Sequence, residues 1–160
     1  MNISKHNLHI NDFYKNNSLI VSEIDKNIKT FNWETIFNDL PPGSAIVGGY
    51  LRDLLLDRLS QKPDIDLIVT GNSYLIGNNL ADKLNGKFVV LDKDRNIVRI
   101  IFKQFMIDIA PQLGNSLKED LGKRDFTINS IAFSLDSRDV IDPFDGIGDL
   151  KKSVIKTCNI

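Results

Sequence analysis

In the stretch 48–66, the types and spacing of Gly48, Gly49, Arg52, Asp64 and Asp66 suit a phosphate and a metal ion. Gly48 and Gly49 allow the backbone to approach an anion closely, because no side chain shields their N–H groups. Arg52 lies about one helical turn after Gly49. A helix beginning here would therefore direct its positive end and a guanidinium group at the same phosphate.

Asp64 and Asp66 would supply the cation site. Side chains alternate between the two faces of a strand, so both carboxylates would project from one face while Ile65 and Leu67 enter the core. Paired carboxylates suit Mg²⁺, which proteins usually hold with one or two such groups plus the phosphates of a substrate. The stretch therefore predicts a site for a triphosphate and a metal ion.

The elements that must position these residues are predicted from hydrophobic periodicity and from glycine and proline signals. Apolar runs predict strands at 44–47, 64–69, 87–91, 97–102 and 105–110, the last three with short joins typical of hairpins. Periodic apolar residues predict helices at 20–28, 33–40, 51–59, 76–84, 116–122 and 127–133, with Asn32 as the N-cap of the second, and a terminal helix from Gly148. The fold class that follows is α/β, with a mixed sheet of about five strands flanked by helices.

Composition is that of a globular protein: 160 residues, 42% apolar and 26% charged, without an apolar run that could span a bilayer. The net charge of -1 excludes a globally basic nucleic-acid-binding domain, so any RNA contact must come from charge on one face. Residues 1–18 predict a mobile N-terminal arm without a signal peptide, and hence a cytoplasmic location. Cys158 is the single cysteine, so it has no disulfide partner within the chain, and its distance from the motifs predicts no role for it.

Three blocks of the sequence resemble one family. The glycine pair, Arg52-Asp53 and the Asp-x-Asp at 64–66 resemble motif A of the class II tRNA nucleotidyltransferase (CCA-adding enzyme) and bacterial poly(A) polymerase family. The block LKEDLGKRDFTINSIAF at 117–133 is similar to motif B of that family, and IDPFDGIGDL at 141–150 to its Asp-Pro-x-x-Gly segment. The resemblance identifies 19–160 as the N-terminal catalytic head, a polymerase β-like nucleotidyltransferase domain.

The resemblance implies a template-independent transfer of CMP or AMP from CTP or ATP to the 3′ end of a tRNA. A 3′-hydroxyl would attack the α-phosphorus and pyrophosphate would leave, with two Mg²⁺ ions activating the attacking oxygen and neutralising the leaving one. Asp64 and Asp66 would be the metal ligands. Gly48, Gly49 and Arg52 would bind the nucleotide.

Motif B implies further nucleotide contacts. Arg124 would bind the triphosphate, and Asp125 with Asn129 would face the ribose, where hydrogen bonds to the 2′-hydroxyl favour ribonucleotides. If Asp125 begins a helix, Asn129 lies four residues later on the same face. The alternative is structural: Asp125 would cap that helix, and Arg124 would pair with Glu119 or Asp120.

Asp108 is the candidate for a third catalytic carboxylate. It lies in the apolar run 105–110, where an unpaired buried carboxylate would be costly. Asp108 therefore requires either a metal ion or a local hydrogen bond, and both partners stay open. Asp53 is expected to be structural, holding Arg52 or a nearby loop.

Two departures from the family concern the nucleotide that is added. Only APQLGNS (110–116) precedes motif B, where CCA-adding relatives carry a longer loop, and this short connection resembles that of CC-adding enzymes. The family's Glu-Asp-x-x-Arg helix, which selects the base, and its neck, body and tail segments do not follow Ile160, which predicts NTP binding without base discrimination. The alternatives are a poly(A) polymerase head and a nucleotide- or RNA-binding module that needs a partner chain for activity.

Overall fold

The computed structural model describes residues 17–158, and a mixed sheet of seven strands lies at its centre. The strands are β1 (Ala45–Val47), β2 (Asp64–Val69), β3 (Lys87–Asp92), β4 (Ile97–Ile101), β5 (Met106–Pro111), β6 (Ala132–Ser134) and β7 (Val140–Ile141), in the spatial order β3-β4-β5-β2-β1-β6-β7. The helices are α1 (Asn17–Phe31), α2 (Glu34–Phe37), α3 (Gly49–Leu55), α4 (Ser73–Leu84), α5 (Leu117–Gly122) and α6 (Gly146–Lys152), and a 3₁₀ turn spans Thr127–Asn129. The predicted α/β class with a mixed sheet is confirmed.

Strand pairing places charged residues in one row across the sheet. β2 pairs with β5 in parallel and with β1 in antiparallel orientation, and β4 pairs with β5 in antiparallel orientation. Val47 lies opposite Asp66, and Asp66 lies opposite Asp108. On the other side of β5, Asp108 lies opposite Arg99. Because opposed residues on neighbouring strands project from the same face, Asp66, Asp108 and Arg99 share one face of the sheet.

The other face of the same strands is fully buried. Residues that alternate with the charged row have side chains no more than 1% exposed: Ile65, Leu67, Val98, Ile100, Ile107 and Ile109. They join one apolar cluster with Ile20, Ile24 and Ile28 of α1, which confirms the predicted amphipathic helix. Close packing on this side gives the charged row a rigid base.

The predicted helix at 127–133 is wrong beyond its first turn. After the 3₁₀ turn, β6 extends along β1, with Ala132 opposite Val47 and Ser134 opposite Ala45, and β7 pairs with β6. Strand pairing here satisfies the backbone groups of β1, which outweighs a helical pattern that is only seven residues long. The sheet therefore has seven strands and not about five.

Other helix boundaries also differ from prediction, most clearly in α2, α3 and α6. α2 is a single turn, and Asn32 does not cap it: Asn32 has a φ of 54°, and Trp33 occupies the N-cap position. α3 ends at Leu55, shortly before Asp57 takes the left-handed φ of 52° and turns the chain. α6 begins at Gly146, two residues before the predicted start.

The predicted N-terminal arm, 1–18, lies outside the described residues except for Asn17 and Ser18, which belong to α1. α1 thus begins two residues before the predicted domain boundary at residue 19. Between residues 17 and 158, no helix is long and apolar enough to cross a bilayer.

Candidate active site

Gly48 has a backbone conformation that favours glycine, with a φ of 71° and a ψ of -129°. Its N–H donates to the Ile131 carbonyl at 3.1 Å, which ties the end of β1 to motif B. A Cβ at Gly48 would lie 2.9 Å from Arg124 Nη1 and 3.3 Å from Asp66 Oδ2. The missing side chain therefore lets a guanidinium group and a carboxylate converge on the glycine turn.

Arg52 joins motif A to motif B through a chain of hydrogen bonds. Its Nε donates to Asp53 Oδ1 at 2.9 Å, and its Nη1 donates to Asn129 Oδ1 at 2.8 Å. Asn129 Nδ2 in turn donates to Asp125 Oδ1 at 3.1 Å, and this bond is the main cause that lowers the pKa of Asp125. The expected contact between Asp53 and Arg52 is confirmed. Asp125 and Asn129 also meet as expected, although a 3₁₀ turn and not an α-helix brings them together.

Asp64 and Asp66 lie on β2 two residues apart, on the face that carries the charged row. Asp66 is half-buried, whereas 48% of the Asp64 side chain is exposed. Burial and the nearby Asp108 carboxylate raise the pKa of Asp66 to about 6, against the lowering effect of Arg124. The same two causes raise the pKa of Asp64, and Arg99 opposes them. A bound cation would offset the cost of both carboxylates.

Asp108 forms a bidentate ion pair with Arg99. Arg99 Nε donates to Asp108 Oδ1 at 2.6 Å and Nη2 donates to Oδ2 at 2.7 Å, while the same Nη2 lies 3.3 Å from Asp64 Oδ2. The sequence leaves two partners open for Asp108, a metal ion and a local hydrogen bond, and the structure shows the local hydrogen bond. Arg99 is a site residue that the sequence analysis misses. The predicted hairpin contained the signal, because pairing Ile101 with Met106 puts Arg99 opposite Asp108.

Arg124 lies between the glycine turn and α5. Its Nε is 3.7 Å from Asp120 Oδ1 and, among the described residues, has no hydrogen-bond partner. Asp120 is itself held by the Leu113 N–H, which donates to Oδ2 at 2.7 Å. The structural alternative for Arg124, an ion pair with Asp120, is thus present at a long distance. It leaves Nη1 beside Gly48.

The C-terminal segment, defined as 146–158, packs against motif B and holds its 3₁₀ turn. The Thr127 hydroxyl donates to the buried Asp149 carboxylate at 2.7 Å. The Cys158 N–H donates to the Asp125 carbonyl at 3.3 Å. The expectation that Cys158 lies far from the motifs is therefore wrong, because the chain folds back on motif B after α6.

An open cleft of about 290 Å³ adjoins the two aspartates of β2. Its walls combine carboxylates, cations and small residues: Gly49, Tyr50, Arg52, Asp53, Leu59, Ser60, Lys62, Pro63, Asp64 and Asp66. Arg52 and Lys62 bring positive charge beside the carboxylates, an arrangement that suits a triphosphate bound through a metal ion. Across residues 17–158, no group of three or more His, Cys, Asp or Glu side chains is arranged to hold a metal ion. A metal ion in this cleft would rely on two aspartates and on oxygens of a ligand.

Comparison with known proteins agrees with the motifs and the geometry. A family model described as the poly A polymerase head domain matches residues 44–112 and 111–156. The chain belongs to this family. A CC-adding tRNA nucleotidyltransferase of Synechocystis sp. is 41% identical to the head domain over 117 residues, which is 73% of the chain. An A-adding tRNA nucleotidyltransferase of Deinococcus radiodurans is 35% identical over 116 residues, or 72% of the chain.

Solved structures show the same fold. The complex of a CCA-adding enzyme with CTP matches with a TM-score of 0.71 and 31% identity, over 89% of this chain and 37% of that one. The head domain spans only 28% of the Synechocystis relative and 26% of the Deinococcus relative. The expected nucleotidyltransferase head fold is confirmed.

Proposed function

We propose that this head domain transfers CMP or AMP from CTP or ATP to the 3′ end of a tRNA without a template. The observation that carries the proposal is the convergence of Asp66 and Arg124 on Gly48, with Asp64 and Arg52 beside them, in a chain of this family. The similar proteins support a tRNA substrate, because they are named CC-adding and A-adding tRNA nucleotidyltransferases.

Mg²⁺ fits the donor set of this site. Asp64 and Asp66 offer hard oxygen ligands on one face of β2, and substrate phosphates and water usually complete the coordination of this ion. Bound ions of this kind neutralise phosphate charge and activate the attacking hydroxyl, and we propose two of them. Asp108 stays a prediction as the third catalytic carboxylate, since its partner in the structure is Arg99.

Side chains from motifs A and B bind and orient the nucleotide in this proposal. Arg52 and Arg124 neutralise the triphosphate beside the glycine pair at 48–49, where no side chain of the pair obstructs its approach. Asp125 and Asn129 face the ribose. Because Asn129 also accepts a hydrogen bond from Arg52, one chain of contacts couples recognition of the ribose to that of the triphosphate.

The addition of two C residues is the specific reaction that we propose. The connection between β5 and α5 is only residues 112–116, and its backbone is tied down. The Leu113 N–H donates to Asp120 and the Asn115 N–H donates to Glu119. The short, fixed connection matches the CC-adding pattern, and the CC-adding relative is 41% identical against 35% for the A-adding one.

Incorporation of labelled CTP or ATP into a tRNA that lacks its 3′ CCA end tests this proposal. The head should be assayed within its full-length protein, for which we expect two added C residues. Addition of three residues would contradict CC specificity, and runs of A would favour a poly(A) polymerase. Nucleotide binding without product would favour a module that needs a partner chain. Asp64→Ala should abolish the product, whereas Asp94→Ala, at an exposed position in the β3–β4 turn, should not.

The 19–160 head is proposed as the part that binds and activates the nucleotide, and base selection as a property of segments outside it. The chain alone should therefore bind CTP and UTP with equal affinity, and a strong preference for CTP would contradict this. A tRNA substrate also implies a cytoplasmic location, which microscopy of a tagged protein would test.

A further inference from the structure

Arg99 contacts two of the three aspartates of the site, and the proposed function gives it no role. Both oxygens of Asp108 accept from its guanidinium group, and its Nη2 reaches Asp64. The side chains of Arg99 and Asp108 are 27% and 18% exposed. A bidentate pair that is partly shielded from water is more strongly held than an open surface ion pair.

Sheet pairing fixes the backbone on both sides of this ion pair. Arg99 and Asp108 are directly opposed on β4 and β5. Val98 and Ile100, which flank Arg99, are completely buried on the other face of the sheet. The fold therefore keeps Arg99 and Asp108 side by side, and only a rotation of their side chains could separate them.

The charge balance of the face depends on this arginine. The Asp108 carboxylate lies close enough to Asp64 and Asp66 to raise the energy of their ionised forms. Arg124 counters the charge on the side of Asp66, and Arg99 counters it on the side of Asp64 and Asp108. Both oxygens of Asp108 are occupied by Arg99, which leaves the other two carboxylates to receive a metal ion.

We propose that Arg99 is a positioning residue that keeps Asp108 out of the ligand set of the metal ion and limits the affinity of Asp64 and Asp66 for it. The inference rests on the proposed function, because it assumes that the metal ion binds these two aspartates. With only two protein ligands and a cation beside them, the ion binds weakly until a triphosphate supplies further oxygens. Arg99 thereby makes metal binding dependent on the nucleotide.

Titration of the chain with Mn²⁺ in the absence of nucleotide, followed by calorimetry, tests the inference. Arg99→Ala should tighten Mn²⁺ binding by about tenfold, because it removes a positive charge and frees a third carboxylate. In the double variant Arg99→Ala/Asp108→Asn, the affinity should return to within about threefold of the original value. Arg99→Lys, which keeps the charge, should remain much closer to the original affinity than Arg99→Ala.

Two results would overturn the inference. If Arg99→Ala binds Mn²⁺ as the original chain does or more weakly, Arg99 does not limit the affinity; a merely structural residue would give this result together with a lower melting temperature. If the double variant binds as tightly as Arg99→Ala, Asp108 is not restrained by Arg99. Arg99→Gln, which keeps most of the side-chain volume without its charge, replaces Arg99→Ala in the same comparison if the alanine variant does not fold.

Asp64→Ala in the same titration separates this inference from the proposed function. Unchanged Mn²⁺ binding by Asp64→Ala would contradict the metal site itself. Loss of binding by Asp64→Ala, without a gain by Arg99→Ala, would contradict only the role of Arg99.

Discussion

The proposed metal side of the site, formed by Asp64, Asp66, Asp108 and Arg99, is held in place by other means than the proposed nucleotide side, formed by Arg124, Asp125 and Asn129. On the metal side, Asp66, Asp108 and Arg99 occupy opposed positions on neighbouring strands, above a layer of buried apolar residues. On the nucleotide side, Asn129 belongs to a 3₁₀ turn of three residues that lies between α5 and β6. A few specific contacts with the C-terminal segment hold that turn, above all the bond from Thr127 to Asp149.

This difference predicts how each side responds to substitution. Strand pairing spreads the support of the metal side over many backbone bonds, so changes to its charged side chains should alter chemistry more than folding. The nucleotide side depends on a few buried contacts, and losing one of them leaves polar groups without partners. Substitutions there should lower stability and nucleotide affinity together.

The largest effect is expected for Asp66→Asn on the metal side. The amide removes the charge of a proposed metal ligand but keeps its size, so nucleotide incorporation should fall by at least about a thousandfold. The fold should persist, because Ile65 and Leu67 keep β2 packed in the core. Incorporation assays and circular dichroism measure the two effects. An unfolded Asp66→Asn would contradict the view that this side is held by the sheet.

The next largest effect is expected for Gly146→Ala on the nucleotide side. A Cβ at Gly146 would lie closer than 3.0 Å to the Thr127 carbonyl, a backbone atom that cannot move aside. The free energy of unfolding should fall by about 2 to 3 kcal/mol, and nucleotide affinity should fall with it. Gly148→Ala is the matched control in the same helix, since its Cβ would meet only the exposed side chain of Asp145. Equal losses from both changes, measured by urea unfolding, would contradict the prediction.

The same division explains which parts of the site could be predicted from the sequence. Asp64 and Asp66 stand out because a strand has a period of two residues and puts both on one face. Arg99 could have been found by pairing the predicted hairpin. The bond from Thr127 to Asp149 could not, because it joins residues 22 positions apart through irregular backbone that no periodicity describes.

The sequence does not predict β6 and β7, for a related physical reason. Residues 132–134 form a strand because β1 offers an unpaired edge, and local sequence does not report the partner. β7 is only Val140–Ile141, too short to show alternation. The motif resemblance assigns the predicted nucleotide residues to positions in the chain, but where those residues lie in space depends on these unpredicted elements.

A smaller effect is expected for Thr127→Val, which keeps the shape of Thr127 but removes the hydroxyl. The Asp149 carboxylate, only 7% exposed, would lose its donor, at a cost of about 1 to 2 kcal/mol in the free energy of unfolding. Nucleotide affinity should weaken because the turn that carries Asn129 loosens, and Thr127→Ser should restore both. Thr35→Val removes an exposed threonine bond and is the control, with a change below about 0.5 kcal/mol. Normal nucleotide affinity in Thr127→Val would contradict the coupling.

The smallest effect is expected in the pH dependence of stability without metal. Burial and the Asp108 carboxylate raise the pKa of Asp66 to about 6, above the ordinary 3.8 that applies in the unfolded chain. The folded state therefore holds this proton more tightly. The tighter protonation of Asp66 in the folded state therefore stabilises the protein fully below about pH 4, and this stabilisation is lost as the pH rises through about 6.

Comparison with Asp66→Asn isolates this contribution, because asparagine does not titrate. With EDTA present, Asp66→Asn and the original chain should be equally stable near pH 4, and the variant should gain about 1 kcal/mol at pH 7.5. Urea unfolding at both values measures the difference. If Asp66→Asn is more stable than the original chain at pH 4 but not at pH 7.5, the ionised Asp66 carboxylate is stabilised in the folded protein. The proposed metal side would then lack the uncompensated charge that a cation offsets.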